Sequence, residues 1–151
     1  MTPGEPTGKG RRVCLVVSQF NQLVTERLEE GARSALLERG VRSDDITTVS
    51  VPGAFELPRG VRMVMSREFD AIVALGCVVR GETPHFDYVC DAATRGLGRL
   101  NVDGDVPVGF GLLTADTMEQ ALERAGGARG NKGADAALAA LAMCDLRDRL
   151  G

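Results

Sequence analysis

The order of apolar and polar positions along the chain predicts strands and helices in alternation. Residues 13–18, 46–51, 71–79 and 106–113 are rich in apolar and β-branched side chains, and each segment has the length of a strand. The third segment is almost purely apolar, which is typical of a central parallel strand that is covered on both faces. The pattern therefore predicts four strands.

Helical spacing of apolar residues occurs between these strands. Residues 22–39 place Val24, Leu28 and Leu36 on one face and charged residues on the other, and Gly40 is suited to ending this helix. Pro58 is suited to the first turn of a second helix. Further helices are expected at about 87–100, 117–125 and 132–146, and a Gly-rich joint with the sequence GGARGNKG separates the last two.

Strands alternating with helices predict an α/β fold, a three-layer sandwich around a four-stranded parallel sheet. Residues 11–151 form one domain, long enough to bury a core without a disulfide or a metal. Residues 1–10 are rich in Gly, Pro and Thr, so we expect a flexible N-terminal arm that a neighbouring subunit can order. Ligands of such folds bind beside the carboxyl ends of the strands.

Composition narrows the classes of partner. A net charge of −3 gives no electrostatic reason to expect nucleic acid. Four cysteines stand far apart without the spacing of a zinc or redox motif, so we expect no metal and buried free thiols. The apolar segment that follows the basic N-terminal residues is too short for a signal peptide or a membrane span, which favours a cytoplasmic protein without membrane partners.

Aromatic or acidic side chains follow the first and second predicted strands, and one aromatic side chain lies within the fourth. Phe20 either stacks on a flat ligand or packs under the first helix as a staple. Phe55 is expected in the core, and Glu56 ends a nearly uncharged run where a carboxylate could bind hydroxyl groups. Phe110 lies between glycines that permit close approach of a ligand or a chain, although a core position is an equal alternative.

The segment GETPH, which follows the third strand, precedes a helix whose N-terminal N–H groups could bind an anion such as phosphate. It includes His85, the single histidine of the chain, with Asp87 two residues on, and imidazole can exchange a proton near neutral pH. Arg124 and Lys132 flank the Gly-rich joint and could hold a phosphate or carboxylate. The alternative for both is solvated surface charge.

Taken in order, the segments SQFN, VPGAFELP, ALGCVVRGETPHFDYV, VPVGFGLLT and TMEQALERAG followed by GNKGADAALAAL resemble the signatures of the lumazine synthase family from residue 13 to residue 146. The resemblance implies a flavodoxin-like sandwich. It also implies a transferase of riboflavin biosynthesis that condenses 5-amino-6-ribitylaminouracil with 3,4-dihydroxy-2-butanone 4-phosphate into 6,7-dimethyl-8-ribityllumazine. Phosphate and water are released, and no metal or organic cofactor is used.

The resemblance also implies roles for individual side chains. His85 would transfer protons, Glu82, Thr83 and Arg124 would bind the butanone phosphate, and Phe110 would reach into the site of a neighbouring subunit. The pyrimidine and its ribityl chain would contact a larger set, namely Phe20, Ala54, Phe55, Glu56, Cys77, Val78, Val79, Phe110 and Lys132.

Assembly and partners are implied in the same way. The family forms pentamers, pentamer pairs or sixty-subunit capsids, and the joint without an insertion favours the icosahedral capsid. A riboflavin synthase is the protein partner that such a capsid could package. Two other functions stay open, an archaeal-type riboflavin synthase and a catalytically silent shell protein that binds lumazine or flavin. Retention of GETPH and GNKG favours the phosphate-handling synthase.

Overall fold

The computed structural model describes residues 4–151, so residues 1–3 of the predicted arm lie outside the described residues. Four strands alternate with helices, and a short hairpin precedes the last helix. The elements in chain order are β1 (Val13–Ser18), α1 (Gln22–Glu38), β2 (Ile46–Val51), α2 (Leu57–Met65), β3 (Ala71–Val79), α3 (His85–Asp103), β4 (Val108–Ala115), α4 (Met118–Glu123), β5 (Ala125–Gly127), β6 (Gly130–Asn131) and α5 (Lys132–Leu150).

The main sheet has the strand order β2-β1-β3-β4, and all of its pairings are parallel. In the central strand β1, Val13 lies opposite Ile46 on one side and Ala71 on the other. Helices α1 and α5 cover one face of the sheet, while α2 and α3 cover the other. The predicted three-layer α/β sandwich is therefore confirmed.

Successive residues of β1 are buried on opposite faces of the sheet. Leu15 packs with the residues of α1 and α5, whereas Cys14 and Val16 pack with those of α2 and α3. Because both faces are covered, neither side of the strand needs polar residues. This explains why β1 and β3 are nearly continuous apolar runs in the sequence.

Several predicted boundaries differ from the structure by one to four residues, and two of them have an evident local cause. Strand β4 begins at Val108 rather than residue 106, because Pro107 has no N–H to donate and its carbonyl accepts the N–H of Ile72 (3.0 Å) outside the strand. Helix α3 begins two residues earlier than predicted, at His85. Pro84 directly precedes it with a φ of −69°, which suits the start of a helix.

The Gly-rich joint, predicted without regular structure, folds as the antiparallel hairpin β5-β6. Gly126 and Gly130 have φ values of 100° and 82°, in the left-handed region that favours glycine. The hairpin brings the end of α4 back toward the start of α5, where the N–H of Lys132 donates to the carbonyl of Arg124 (2.8 Å).

The segment before β1 contacts α5. The N–H of Thr7 donates to Asp145 Oδ2 (3.0 Å), and Arg11 pairs with Asp145 (2.9 Å) and Asp148 (2.8 Å). These contacts connect the N-terminal side of the domain to the last helix. Within residues 4–151, no helix is both long enough and apolar enough to cross a membrane.

Candidate active site

Backbone hydrogen bonds hold together the loops that follow β1 and β2. The N–H of Gln19 donates to the carbonyl of Val51 (2.9 Å), and the N–H of Phe20 donates to the carbonyl of Pro52 (3.1 Å). The side-chain amide of Asn21 donates to the carbonyl of Cys77 in β3 (3.0 Å). These hydrogen bonds hold the carboxyl ends of β1, β2 and β3 next to one another around Phe20.

Asn21 adopts a left-handed backbone conformation at the turn between β1 and α1. Its φ is 61° and its ψ is 49°, a conformation that asparagine tolerates better than most residues other than glycine. The sharp turn ends β1 at Ser18 and starts α1 at Gln22. Phe20 is thus presented at the carboxyl edge of the sheet instead of continuing the strand into the core.

A cavity of about 630 Å³ opens at this edge. Four of the six aromatic side chains of the protein, which has five Phe and one Tyr, contribute to its wall. The lining residues are Phe20, Gly53, Ala54, Phe55, Glu56, Cys77, Val78, Val79, Gly81, Thr83, His85, Phe86, Tyr88 and Val89. An apolar, aromatic wall with a few polar groups suits a flat ligand of small-molecule size.

The structure brings most of the predicted site residues into one wall. Those that line the cavity are Phe20, Ala54, Phe55, Glu56, Cys77, Val78, Val79, Thr83 and His85. Phe20 is 71% exposed and Phe55 63% exposed, so the staple expected for Phe20 and the core position expected for Phe55 are both wrong. Both rings line the cavity, so of the two alternatives given for Phe20 the exposed ring favours the one that leaves it open to a flat ligand.

Several lining residues were missed from the sequence. Phe86, Tyr88 and Val89 all belong to the first turns of α3. Tyr88 and Val89 follow His85 by three and four residues, the spacing that places side chains on one helix face. With the helix start placed at His85 instead of residue 87, this spacing would have identified them.

His85 is the first residue of α3, and its N–H lies 3.5 Å from the Thr83 hydroxyl oxygen. The N–H groups of the first helical turn have no acceptor four residues earlier within the helix, and that of Asp87 donates to the carbonyl of Pro84 (3.0 Å). Asp87, two residues after His85, lies 3.6 Å from Arg80 and forms an ion pair with it. Glu82 is exposed in the same loop, between two residues that line the cavity.

Glu56 lies in the short 3-10 turn Ala54–Glu56 that precedes α2. Its N–H donates to the carbonyl of Gly53 (3.1 Å), and a carboxylate oxygen approaches within 3.3 Å of the position that a Cβ on Gly53 would occupy. The carboxylate is thus folded back over the turn. It supplies hydrogen-bond acceptors at one end of an otherwise apolar wall.

Burial in the same wall keeps Cys77 neutral. Desolvation raises the pKa of its thiol to about 11, so the thiol is protonated at neutral pH. Cys77 contributes apolar surface rather than a nucleophile. Within residues 4–151, no group of three or more His, Cys, Asp or Glu side chains is arranged to hold a metal ion.

Three predicted residues lie away from this cavity. Phe110 is 42% exposed on β4, so a fully buried core position is wrong, and it lines a second cavity of about 230 Å³ beside α3. Arg124 and Lys132 meet at the base of the hairpin through their backbones. The Arg124 guanidinium donates to the carbonyl of Gln120 (3.1 Å) and lies 3.7 Å from Glu123.

Comparisons with known proteins agree with the motifs. The family model for 6,7-dimethyl-8-ribityllumazine synthase matches residues 10–148. A protein of that name from Gemmatimonas aurantiaca is 58% identical over 97% of this chain and 90% of its own length. A protein of the same name from Porphyromonas gingivalis is 52% identical over 93% of this chain and 88% of its own length. Another, from Phocaeicola vulgatus, is 47% identical over 96% of this chain and 87% of its own length. The chain belongs to the 6,7-dimethyl-8-ribityllumazine synthase family.

Proposed function

We propose that this protein condenses 5-amino-6-ribitylaminouracil with 3,4-dihydroxy-2-butanone 4-phosphate to give 6,7-dimethyl-8-ribityllumazine, phosphate and water. The observation that carries the proposal is the aromatic cavity beside His85, in a chain whose named relatives are lumazine synthases. The alternatives of an archaeal-type riboflavin synthase and a silent shell protein are not favoured, because the family model and these relatives are all synthases by name.

The pyrimidine is proposed to bind against Phe20, whose exposed ring offers a flat apolar face for stacking. Ala54, Phe55, Cys77, Val78 and Val79 would enclose the remainder of the ring. The Glu56 carboxylate would accept hydrogen bonds from ribityl hydroxyl groups, which are donors of the kind that an ionised acid binds. The apolar wall and the acidic end of the cavity support this orientation.

The butanone phosphate is proposed to bind where α3 begins. The positive end of the dipole of α3 favours a phosphate at this position. Thr83 would contribute its hydroxyl, and Glu82 would contact the same substrate from the exposed loop. This orientation would put the ketone between the pyrimidine amine and His85.

His85 is proposed to transfer protons in the three steps that follow. The pyrimidine amine attacks the ketone, and water leaves to form an imine. Loss of the C3 proton and of phosphate from C4 then leaves an enol, which tautomerises to a ketone at C3. The ribitylamino nitrogen attacks this new ketone and releases a second water as the ring closes. An imidazole can accept the amine proton and donate to a departing oxygen, which suits each step. Holding the two reactants together contributes at least as much as proton transfer.

Phe110, Arg124 and Lys132 are proposed to act in a site that two subunits share. Their separation from the cavity within one chain supports this assignment, as does the exposure of Phe110. Phe110 would reach into the neighbouring cavity, Arg124 would pair with the substrate phosphate, and Lys132 would support the pyrimidine or ribityl side. The smallest assembly with complete sites would be the family's pentamer.

A larger assembly and a location belong to the same proposal. We infer a sixty-subunit capsid built from pentamers, which could package a riboflavin synthase. A cytoplasmic location is supported by four free cysteines, three of them buried, since free thiols persist in a reducing compartment. The segment over residues 4–10 is proposed to gain contacts with a neighbouring subunit beyond the one that Thr7 makes with α5 of its own chain.

The test compares two reactions catalysed by the same purified protein. With both substrates, the absorbance of lumazine should rise well above the uncatalysed blank. With lumazine supplied alone, no riboflavin should form. Riboflavin formation from lumazine alone would instead identify a riboflavin synthase. If neither reaction occurred, the catalytically silent shell protein would be the remaining hypothesis.

A further inference from the structure

The loop between β3 and α3 has to hold its shape although it is exposed. Residues 80–85 are solvent-exposed and carry Glu82, Thr83 and His85, which the proposed function assigns to the reaction. Exposed loops are usually among the most mobile parts of a protein. Proton transfer and phosphate binding both require a fixed geometry, so contacts outside the loop must restrain it.

Arg80, the first residue of this loop, contacts the helix that follows the loop. Its guanidinium carbon lies 4.5 Å from the ring centre of Phe86, and Nη1 lies 3.6 Å from Asp87 Oδ1. Phe86 and Asp87 directly follow His85 in α3. The side chain of Arg80 therefore connects the start of the loop to the two residues of α3 that directly follow His85.

The same side chain also attaches the loop to the neighbouring strand. Nε donates to Asp116 Oδ1 at 2.8 Å, and the N–H of Arg80 donates to the carbonyl of Ala115 at 2.9 Å. Asp116 directly follows β4, and its own N–H donates to the Gln120 side chain (2.9 Å), which fastens it to α4. The guanidinium thus joins the start of α3 to the rigid end of the sheet.

We propose that Arg80 is a positioning residue that holds the His85 loop in its reactive geometry through Asp116 and Phe86. The inference rests on the proposed function for its kinetic consequence and on the contacts alone for its structural one. Arg80 does not line the cavity, whereas Phe86 does, so Arg80 acts through its neighbours. A guanidinium suits this role because it hydrogen-bonds in its plane and stacks on a ring with its face.

A second arginine provides a matched control. Arg95 Nε donates to Asp91 Oδ1 at 2.8 Å, the same atoms and distance as in the pair of Arg80 with Asp116. Both partners of that pair lie within α3, and both are exposed. Exposed ion pairs contribute little to stability, so loss of the Arg95–Asp91 pair should change neither the order of the loop nor kcat. Any difference between the two positions reports the connection that Arg80 makes between elements.

The experiment compares wild type with Arg80→Gln, Arg80→Lys, Asp116→Asn and Arg95→Gln. Hydrogen exchange followed by mass spectrometry reports the order of residues 81–86 without any need for turnover. We expect about tenfold faster exchange there in Arg80→Gln, with kcat about tenfold lower and the dissociation constant of the pyrimidine within about twofold of wild type. Asp116→Asn should also speed the exchange of residues 81–86 and lower kcat. The exchange rate and kcat of Arg80→Lys should lie between those of wild type and Arg80→Gln. Arg95→Gln should match wild type.

Two results would overturn the proposal. One is wild-type exchange of residues 81–86 in both Arg80→Gln and Asp116→Asn. The other is a kcat loss of equal size in Arg95→Gln. Should Arg80→Gln fail to fold, Arg80→Lys and Asp116→Asn provide the same two readouts. If wild type itself makes no lumazine, the proposed function fails, while the exchange data still decide whether Arg80 orders the loop.

Discussion

His85 combines two positions in one residue, since it is the first residue of α3 and also part of the cavity wall. Its side chain can therefore meet a ligand that lies against the exposed ring of Phe20, while the backbone beside it starts the helix. No other histidine of the chain can replace it. This is the arrangement expected of a residue that moves protons during the reaction and not of one that stabilises the fold.

We predict that His85→Ala lowers kcat by roughly 10²-fold and leaves pyrimidine binding nearly unchanged, since positioned proton transfer accounts for part of the acceleration. The variant should be slowed and not inactive, because both substrates remain held together in the cavity. Stopped-flow absorbance gives kcat, and isothermal titration gives the binding constant. Turnover equal to that of wild type would refute the role of His85.

Arg124 is expected to act on one substrate only. Arg124→Ala should raise the Michaelis constant for butanone phosphate about tenfold or more, because an arginine–phosphate pair is a charge-assisted hydrogen bond. Binding of the pyrimidine should be unaffected. Arg129→Ala is the control, since Arg129 is an exposed arginine of the same hairpin region that has no assigned role. Equal weakening of both substrates would contradict the assignment.

The sequence identified which residues line the cavity better than it predicted their burial and the elements around them. Position after a strand pointed to Phe20, Glu56 and His85, because carboxyl ends of parallel strands meet at one edge. It placed Phe55 in the core, wrongly, since an aromatic ring fits either environment and only the local turn determines which way it faces. Tyr88 was missed because the start of α3 was placed two residues late.

At the scale of elements, close packing of α1 against α5 depends on glycine. A Cβ on Gly133, in the first turn of α5, would collide with the carbonyl of Leu28 in α1. We predict that Gly133→Ala lowers the free energy of unfolding by about 2 kcal/mol, because the helices must separate to admit the methyl group. Urea unfolding at one fixed protein concentration gives the value.

Gly98 provides the matched control for Gly133. It lies within α3, and no described atom comes within 4 Å of where its Cβ would be. Gly98→Ala should raise the free energy of unfolding by roughly 0.5–1 kcal/mol, since alanine favours the helix and meets no obstacle. Destabilisation of similar size in both variants would show that helix–helix contact is not the cause.

The bounds of helices and strands were predicted correctly where a single sequence pattern was strong. The bounds of β1, β2 and β3 agree with the prediction, because each is an apolar or β-branched segment ended by turn residues. The β5-β6 hairpin was missed because its sequence contains mostly glycine and no side-chain pattern. Its structure depends on the positive φ angles of Gly126 and Gly130 and on backbone bonds to α4 and α5.

For the whole molecule, the proposed assembly would cover apolar side chains that a single chain exposes. Val102 and Phe110 are exposed near the second cavity, and Met143 and Leu150 are exposed on α5. We predict particles of about sixty times the 16.0 kDa chain mass, consistent with closed symmetry built from pentamers. Static light scattering after gel filtration measures this mass. A solution that contains free pentamers alone would refute the capsid.

The central claim is that the cavity beside His85 performs the condensation and expels phosphate. The most direct measurement follows lumazine by absorbance and inorganic phosphate by a coupled assay in the same reaction, with the no-protein rate subtracted. The account predicts that the two products form at equal enzyme-dependent rates under saturating substrates. Tight pyrimidine binding without lumazine, or phosphate release that is not matched by lumazine, would contradict it.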